Sequence, residues 1–264
     1  PKLASIADRF TFIRSLTGSA GAHDAFQCQS GFAAADLQAL GGRPALGSVA
    51  TKVLGSKQDP APTFVDLMQG RPLVRNSARP GFLGPTYQAF RPDISHLFQR
   101  ELETGMQGEL ARRGEQHSVS YALNATLNAG RIEDRLRLLA GLDRVRRSID
   151  DSGMMAALDA FHEQAIGILT SGSFARAMEL GQEDPRVVER YRLVGHDVEA
   201  FKTADTPDAT LKLLLARRLI EAGVRCVSLT LSDYDTHRSN YPRLRQMLPV
   251  LDHALVALVT DLEE

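Results

Sequence analysis

Three side chains within one short run, Asp233, Asp235 and His237, could bring two carboxylates and an imidazole onto a single cation. They stand in Ser232-Asp-Tyr-Asp-Thr-His237, where residues two apart share a face wherever the chain runs extended. Oxygen donors with one ring nitrogen suit zinc, manganese or iron. The spacing alone is common, and the same residues also fit a polar turn in which Asp235 caps the next helix and His237 faces water. A second, weaker candidate is His23 with Asp24, in the Gly-rich loop Thr17-Gly-Ser-Ala-Gly-Ala-His-Asp24, which reads equally as a structural turn.

Placement gives the first group its weight. Val224 to Leu231 is an apolar, β-branched run of buried-strand length. Thr210 to Ala222 before it has helical spacing, and Gly223 stands where a helix stops. After it, Asn240 can cap, Pro242 suits a first turn, and apolar residues recur at helical spacing to Leu262. Helix, strand, polar loop, helix is the order of a parallel α/β sheet, whose ligands bind beyond the carboxyl ends of the strands. Asp233, Asp235 and His237 fall at such an end.

Upstream, Lys2 to Asp8 reads as a short helix and Phe10 to Leu16 as a strand entering the His23 loop. Ala45 to Leu54 reads as a helix. Gln58 to Pro92, rich in proline and glycine, reads as one long irregular loop. A helix is expected over Ile94 to Arg113, and an amphipathic one over Arg131 to Ile149, with Ile132, Leu136, Leu139, Leu142, Val145 and Ile149 in one stripe. Met154 to Leu169 would complete a helical hairpin. Ser173 to Leu180 and Glu183 to Tyr191, the second started by Asp184 and Pro185, would be shorter helices, with a polar connection over Gly195 to Asp208.

Composition excludes several classes. The 264 residues carry a net charge of -1, which gives no electrostatic reason for a nucleic-acid partner. No apolar run approaches the roughly 20 residues of a transmembrane helix. No signal peptide is visible, and both ends, Pro1 and Glu264, read as cut. Cys28 and Cys226 sit in different contexts and fix no redox compartment. There is no G-x-S-x-G elbow, phosphate-binding loop or dinucleotide fingerprint, which argues against serine hydrolase and nicotinamide chemistry.

Several ordered segments carry a family resemblance. They are Lys2-Leu-Ala-Ser-Ile-Ala-Asp-Arg-Phe10 with Ile13-Arg-Ser15, the His23-Asp24 loop with Gln29-Ser-Gly31, Leu46-Gly-Ser-Val49, Pro80-Gly-Phe-Leu-Gly-Pro85 and Arg135 to Asp143. Further on come Glu183-Asp-Pro185, Ala216 to Arg225, Tyr234-Asp-Thr-His237, Asn240 to Leu244 and Leu248 to Asp252. The chain resembles the bacterial domain-of-unknown-function family numbered fifteen hundred and one, a sulfatase-like branch of the alkaline phosphatase superfamily.

The resemblance implies an α/β fold with a mostly parallel, alkaline-phosphatase-like sheet flanked by helices. It would form one partial domain over 1–264, with a largely helical insertion over 94–200. It implies a divalent metal (zinc, manganese, iron or calcium) held by Asp235 and His237, with His23 as the catalytic candidate; Asp233, His23 and Asp24 remain weaker ligand candidates from their residue type and placement. The implied activity is hydrolysis of phosphate or sulfate esters, on a small-molecule or glycan substrate, in a protein exported from the cell. Thr17 and Ser19 lie near His23, but no nucleophile is identified. Family members carry an upstream Gly-Gly-Pro-Ser type turn and downstream acidic and Asp-His segments that this sequence lacks, so the expected site is half of one. The incomplete ligand set leaves an alternative: a non-catalytic binding or cell-surface protein that keeps the fold.

Overall fold

The computed structural model describes residues 1–15, 17–18, 25–37, 41–56, 59–70, 73, 76–98, 107–108, 172–193, 207–231 and 234–264. Among them are six α-helices and two strands: α1 Phe26–Ser30, α2 Leu46–Leu54, β1 Phe64–Leu67, α3 Ser173–Met178, α4 Pro185–Tyr191, α5 Leu211–Glu221, β2 Cys226–Leu229 and α6 Asn240–Glu263. The chain is therefore of mixed helix and strand. The expected helices over 131–149 and 154–169, and most of the expected insertion, lie outside the described residues.

The two strands pair in parallel, Phe64 opposite Cys226 and Leu67 opposite Leu229. On the other side of β1, Phe90 makes a single parallel bridge to Val65: Asp66 N–H donates to Phe90 C=O at 2.9 Å and Phe90 N–H to Phe64 C=O at 2.9 Å. A parallel sheet must be covered on both faces, and the alternation along β1 shows how. Val65 and Leu67 point into a core with Phe174 of α3, Tyr191 of α4, Leu211 to Leu219 of α5, and Ala254 and Ala257 of α6. Phe64 points the other way, toward Ala78, Ala89 and Cys226, with α2 laid over it.

The close approach of α2 has a specific cause. A Cβ on Gly47 would stand 2.5 Å from carbon atoms of the Phe64 ring, which is itself buried. Gly47→Ala is expected to cost about 1–3 kcal/mol through overpacking, read as a lower urea midpoint with an unchanged slope.

The helix–strand–loop–helix unit follows its sequence signals closely. Gly223, at φ +104°, ends α5: Val224 N–H donates to Leu219 C=O and Gly223 N–H to Ile220 C=O, both at 3.0 Å, a Schellman closure that needs a left-handed residue. Asp184 caps α4 as its sequence suggests, accepting from Arg186 N–H at 2.8 Å ahead of Pro185. Arg218 of α5 donates to the carbonyls of Arg176 (2.6 Å) and Ala177 (3.0 Å) in the last turn of α3, the first of which also accepts from Glu179 N–H. Asp261 of α6 binds Arg190 of α4 and Arg217 of α5, joining the three helices. Inside α6, Pro249 has no N–H, so the carbonyl one turn earlier, at Arg245, receives no helical bond.

Four expectations are corrected. The stretch Gln58 to Pro92 is not wholly irregular, since it contains β1 and the Phe90 bridge. Being covered on both faces, β1 is a continuous apolar run broken by one Asp and carries no alternation to betray it. Phe10 to Ser15, expected as most of a strand, makes no sheet pairing among the described residues. Phe12 is 66% and Ile13 77% exposed, and the Phe10 and Phe12 rings pack on each other at 6.1 Å. The N-terminal helix is a 3-10 helix, Leu3–Arg9, interrupted at Ile6, and it lies along α6. Asn240 does not cap α6 with its side chain; its Oδ1 accepts from Thr236 Oγ1 at 2.7 Å.

Candidate functional site

The carboxyl ends of β1 and β2 lie side by side because the strands are parallel and in register. Thr230 follows β2, and its hydroxyl accepts from Gln69 N–H, just past β1, at 3.1 Å. Gln69 donates its amide N–H to Phe98 C=O at 2.9 Å, while its buried Oε1 has no partner among the described residues. Lys212 of α5 is fully buried; its ammonium donates to Thr230 C=O at 3.3 Å and lies 5.7 Å from the centroid of the Phe98 ring. This polar knot anchors the end of β2, from which the Asp235–His237 loop departs.

The loop is pinned to α6 by alternate side chains. Tyr234 Oη donates to Met247 C=O at 3.4 Å, and Thr236 Oγ1 to Asn240 Oδ1. The residues between and beyond them turn outward: the side chain of Asp235 is 52% and that of His237 68% exposed. His237 Nε2 meets Asp235 Oδ1 at 2.8 Å. The two side chains thus meet each other directly, on the solvent side of the loop.

That contact assigns roles to the ring atoms. In the neutral tautomer that donates Nε2–H to Asp235, Nδ1 keeps its lone pair. Metal-binding histidines commonly donate their second ring N–H to a carboxylate in this manner, which fixes the ring and raises its basicity. In this arrangement Asp235 orients His237, and for both to ligate one ion the hydrogen bond must first open. Oxygen and imidazole donors fit a first-row divalent cation in type. In number they fall short: no group of three or more His, Cys, Asp or Glu that could hold an ion occurs among the described residues.

Asp233, His23 and Asp24, and with them Ser19, lie outside the described residues. Of the remaining histidines, His253 belongs to a contact between α6 and the N-terminal turn. Both cysteines are free; Cys226 is half-buried in β2, and burial pushes its thiol upward.

Sequence reasoning missed the buried polar residues of the sheet. Asp66 sits on β1 with its side chain fully buried, accepting from Arg91 Nε at 2.7 Å, Ser228 Oγ at 2.8 Å and Met68 N–H at 3.1 Å. One signal was available, for the Thr230 knot and not for Asp66: Lys212 interrupts the apolar run Leu211 to Leu215, and a lone lysine inside a buried helix marks a polar partner nearby.

The family model described as "Protein of unknown function (DUF1501)" matches residues 1–264. The chain belongs to the DUF1501 family. No curated protein and no solved structure matches it. Within this DUF1501 chain, no described helix is long and apolar enough to cross a membrane.

Proposed function

We propose that this DUF1501 chain is part of a sulfatase-like, metal-dependent hydrolase of phosphate or sulfate esters. The reading takes the β1–β2 pair as part of a larger alkaline-phosphatase-like sheet. The observation that carries it is the 2.8 Å Asp235–His237 pair on the outward side of a loop leaving the carboxyl end of a parallel strand. Asp235 holds the tautomer and direction of the His237 ring, so that Nδ1 is the ligand atom. Tyr234 and Thr236 hold the loop on α6, fixing the face on which the pair projects. A divalent ion bound there supplies Lewis acidity toward an ester oxygen and lowers the pKa of a coordinated water. His23 is the remaining active-site candidate.

A second reading is a non-catalytic binding protein that keeps the fold. The exposure of both side chains favours it, because catalytic ligands usually stand in a site that excludes water.

Metal analysis and aryl phosphate or aryl sulfate hydrolysis separate the two. On the hydrolase reading, His237→Ala abolishes stoichiometric divalent metal. Asp235→Ala, which removes the orienting carboxylate, weakens metal affinity by about 10–100-fold, and turnover falls with both. Metal content and hydrolysis indifferent to both substitutions, or absent from the unmodified protein, would decide for the binding protein.

A further inference from the structure

The N-terminal turn is fastened to α6 by a contact with no part in the proposed chemistry. The backbone N–H groups of Lys2 and Leu3 each donate to the Asp252 carboxylate at 2.7 Å. The Lys2 ammonium reaches His253 Nδ1 at 2.8 Å, and His253 Nε2 lies 3.0 Å from the Arg190 carbonyl oxygen at the end of α4. Each of these contacts constrains the imidazole. A carbonyl oxygen only accepts, so Nε2 must carry the proton. An ammonium only donates, so Nδ1 must offer its lone pair. Only the neutral Nε2–H tautomer satisfies both partners at once.

We propose that His253 is a pH-sensitive latch which holds the N-terminal turn on α6 while neutral and releases Lys2 when Nδ1 takes a proton. Protonation sets N–H against N–H at the Lys2 contact and places two cations face to face. The contact with Arg190 survives, since Nε2–H is unchanged. The ring therefore stays on α4, while the turn loses its Lys2 tether and is held more loosely by its two backbone bonds to Asp252.

Among the described residues, the charged groups around the ring are few. From the N-terminal side comes Lys2. From α6 comes Asp252, engaged with the two backbone N–H groups. From α4 comes Arg190, whose guanidinium is turned away to Asp261 and Glu264. Arg9 makes a separate ion pair with Glu263, further along α6.

The sign follows from these surroundings. Burial first, and then Lys2, hold the His253 imidazole below its ordinary 6.5, outweighing the Arg190 and Tyr191 carbonyls and Asp252. The released state takes up the proton more readily than the latched one. The latch is therefore fully formed above pH 6.5 and is lost as pH falls through the lowered value. Asp252, whose carboxyl is held below 3.8 by the Leu3 and Lys2 N–H groups despite burial, stays ionised through that window and does not account for the transition.

The test is amide hydrogen exchange of Lys2 and Leu3, followed by NMR on the full chain from about pH 8 to about pH 5 and corrected for intrinsic rates, alongside the His253 ring resonances. The corrected Leu3 rate is expected to rise about fivefold or more across a single inflection that coincides with the His253 titration. In His253→Gln, whose amide can donate to Arg190 and accept from Lys2 without titrating, the inflection is absent. In Lys2→Met, His253 titrates at higher pH because the facing cation is gone. An inflection that persists in His253→Gln, a flat profile in the unmodified chain, or an unmoved His253 titration in Lys2→Met would each overturn the latch.

Discussion

Asp66→Ala is expected to lower the unfolding free energy by about 3–5 kcal/mol, the cost of breaking a buried ion pair from one side. Asp66 is enclosed on β1, and three donors converge on it: the Arg91 guanidinium, the Ser228 hydroxyl and the Met68 N–H. Removing the carboxylate leaves a cation with 19% side-chain exposure whose other bond goes to the Ala78 carbonyl at 3.2 Å, and a β2 hydroxyl without its acceptor. The loss is asymmetric, because deleting both partners is cheaper than deleting one. Urea unfolding should therefore find Asp66→Ala with Arg91→Met less destabilised than the sum of the single changes. Equality with that sum would show that the two side chains do not act as a unit.

Gly81→Ala should be nearly as damaging, for a reason located in the backbone. Gly81 has φ +55° in Pro80-Gly-Phe-Leu-Gly-Pro85, and Phe82 N–H donates to Gly42 C=O at 2.8 Å. A Cβ there would run into the Gly42 carbonyl oxygen and stand 2.6 Å from the Arg43 carbonyl carbon. The left-handed conformation costs an alanine about 1–2 kcal/mol, and overpacking adds about 1–3 kcal/mol, with no flexible side-chain end to yield. Thermal unfolding of Gly81→Ala beside Gly181→Ala checks this, since nothing lies within 4 Å of a Cβ at Gly181. Equal melting temperatures would refute it.

What the sequence makes legible is local. Gly223 ends α5 and Asp184-Pro185 starts α4 because those signals act over one helical turn. Asp235 and His237 were readable as neighbours at a strand's end, but their direct contact comes from a turn, in which Thr236 N–H donates to Tyr234 C=O at 3.0 Å. Asp66 was not readable. Arg91 lies 25 positions away and Ser228 162, so nothing near an aspartate between Val65 and Leu67 announces that the fold will neutralise it. The strand expected over Phe10 to Leu16 finds no pairing for Phe10 to Ser15 among the described residues, for the opposite reason. Its β-branched and aromatic residues suit a pleated surface, but intrinsic preference without a paired neighbour makes no sheet.

Pro249 gives α6 a mechanical character beyond its length. At 24 residues the helix is a rod about 36 Å long. It takes its grip on the Asp235–His237 loop before the proline, through Asn240 and Met247. Its ties to the N-terminal turn and to the arginines of α4 and α5 come after, through Asp252, His253 and Asp261. The missing rung, from Arg245 to Pro249, spans the Met247 attachment and precedes the second set, so one restraint on bending is absent there. Strain applied to the loop by an incoming ligand would be absorbed at that rung, leaving the far half of the rod in its berth.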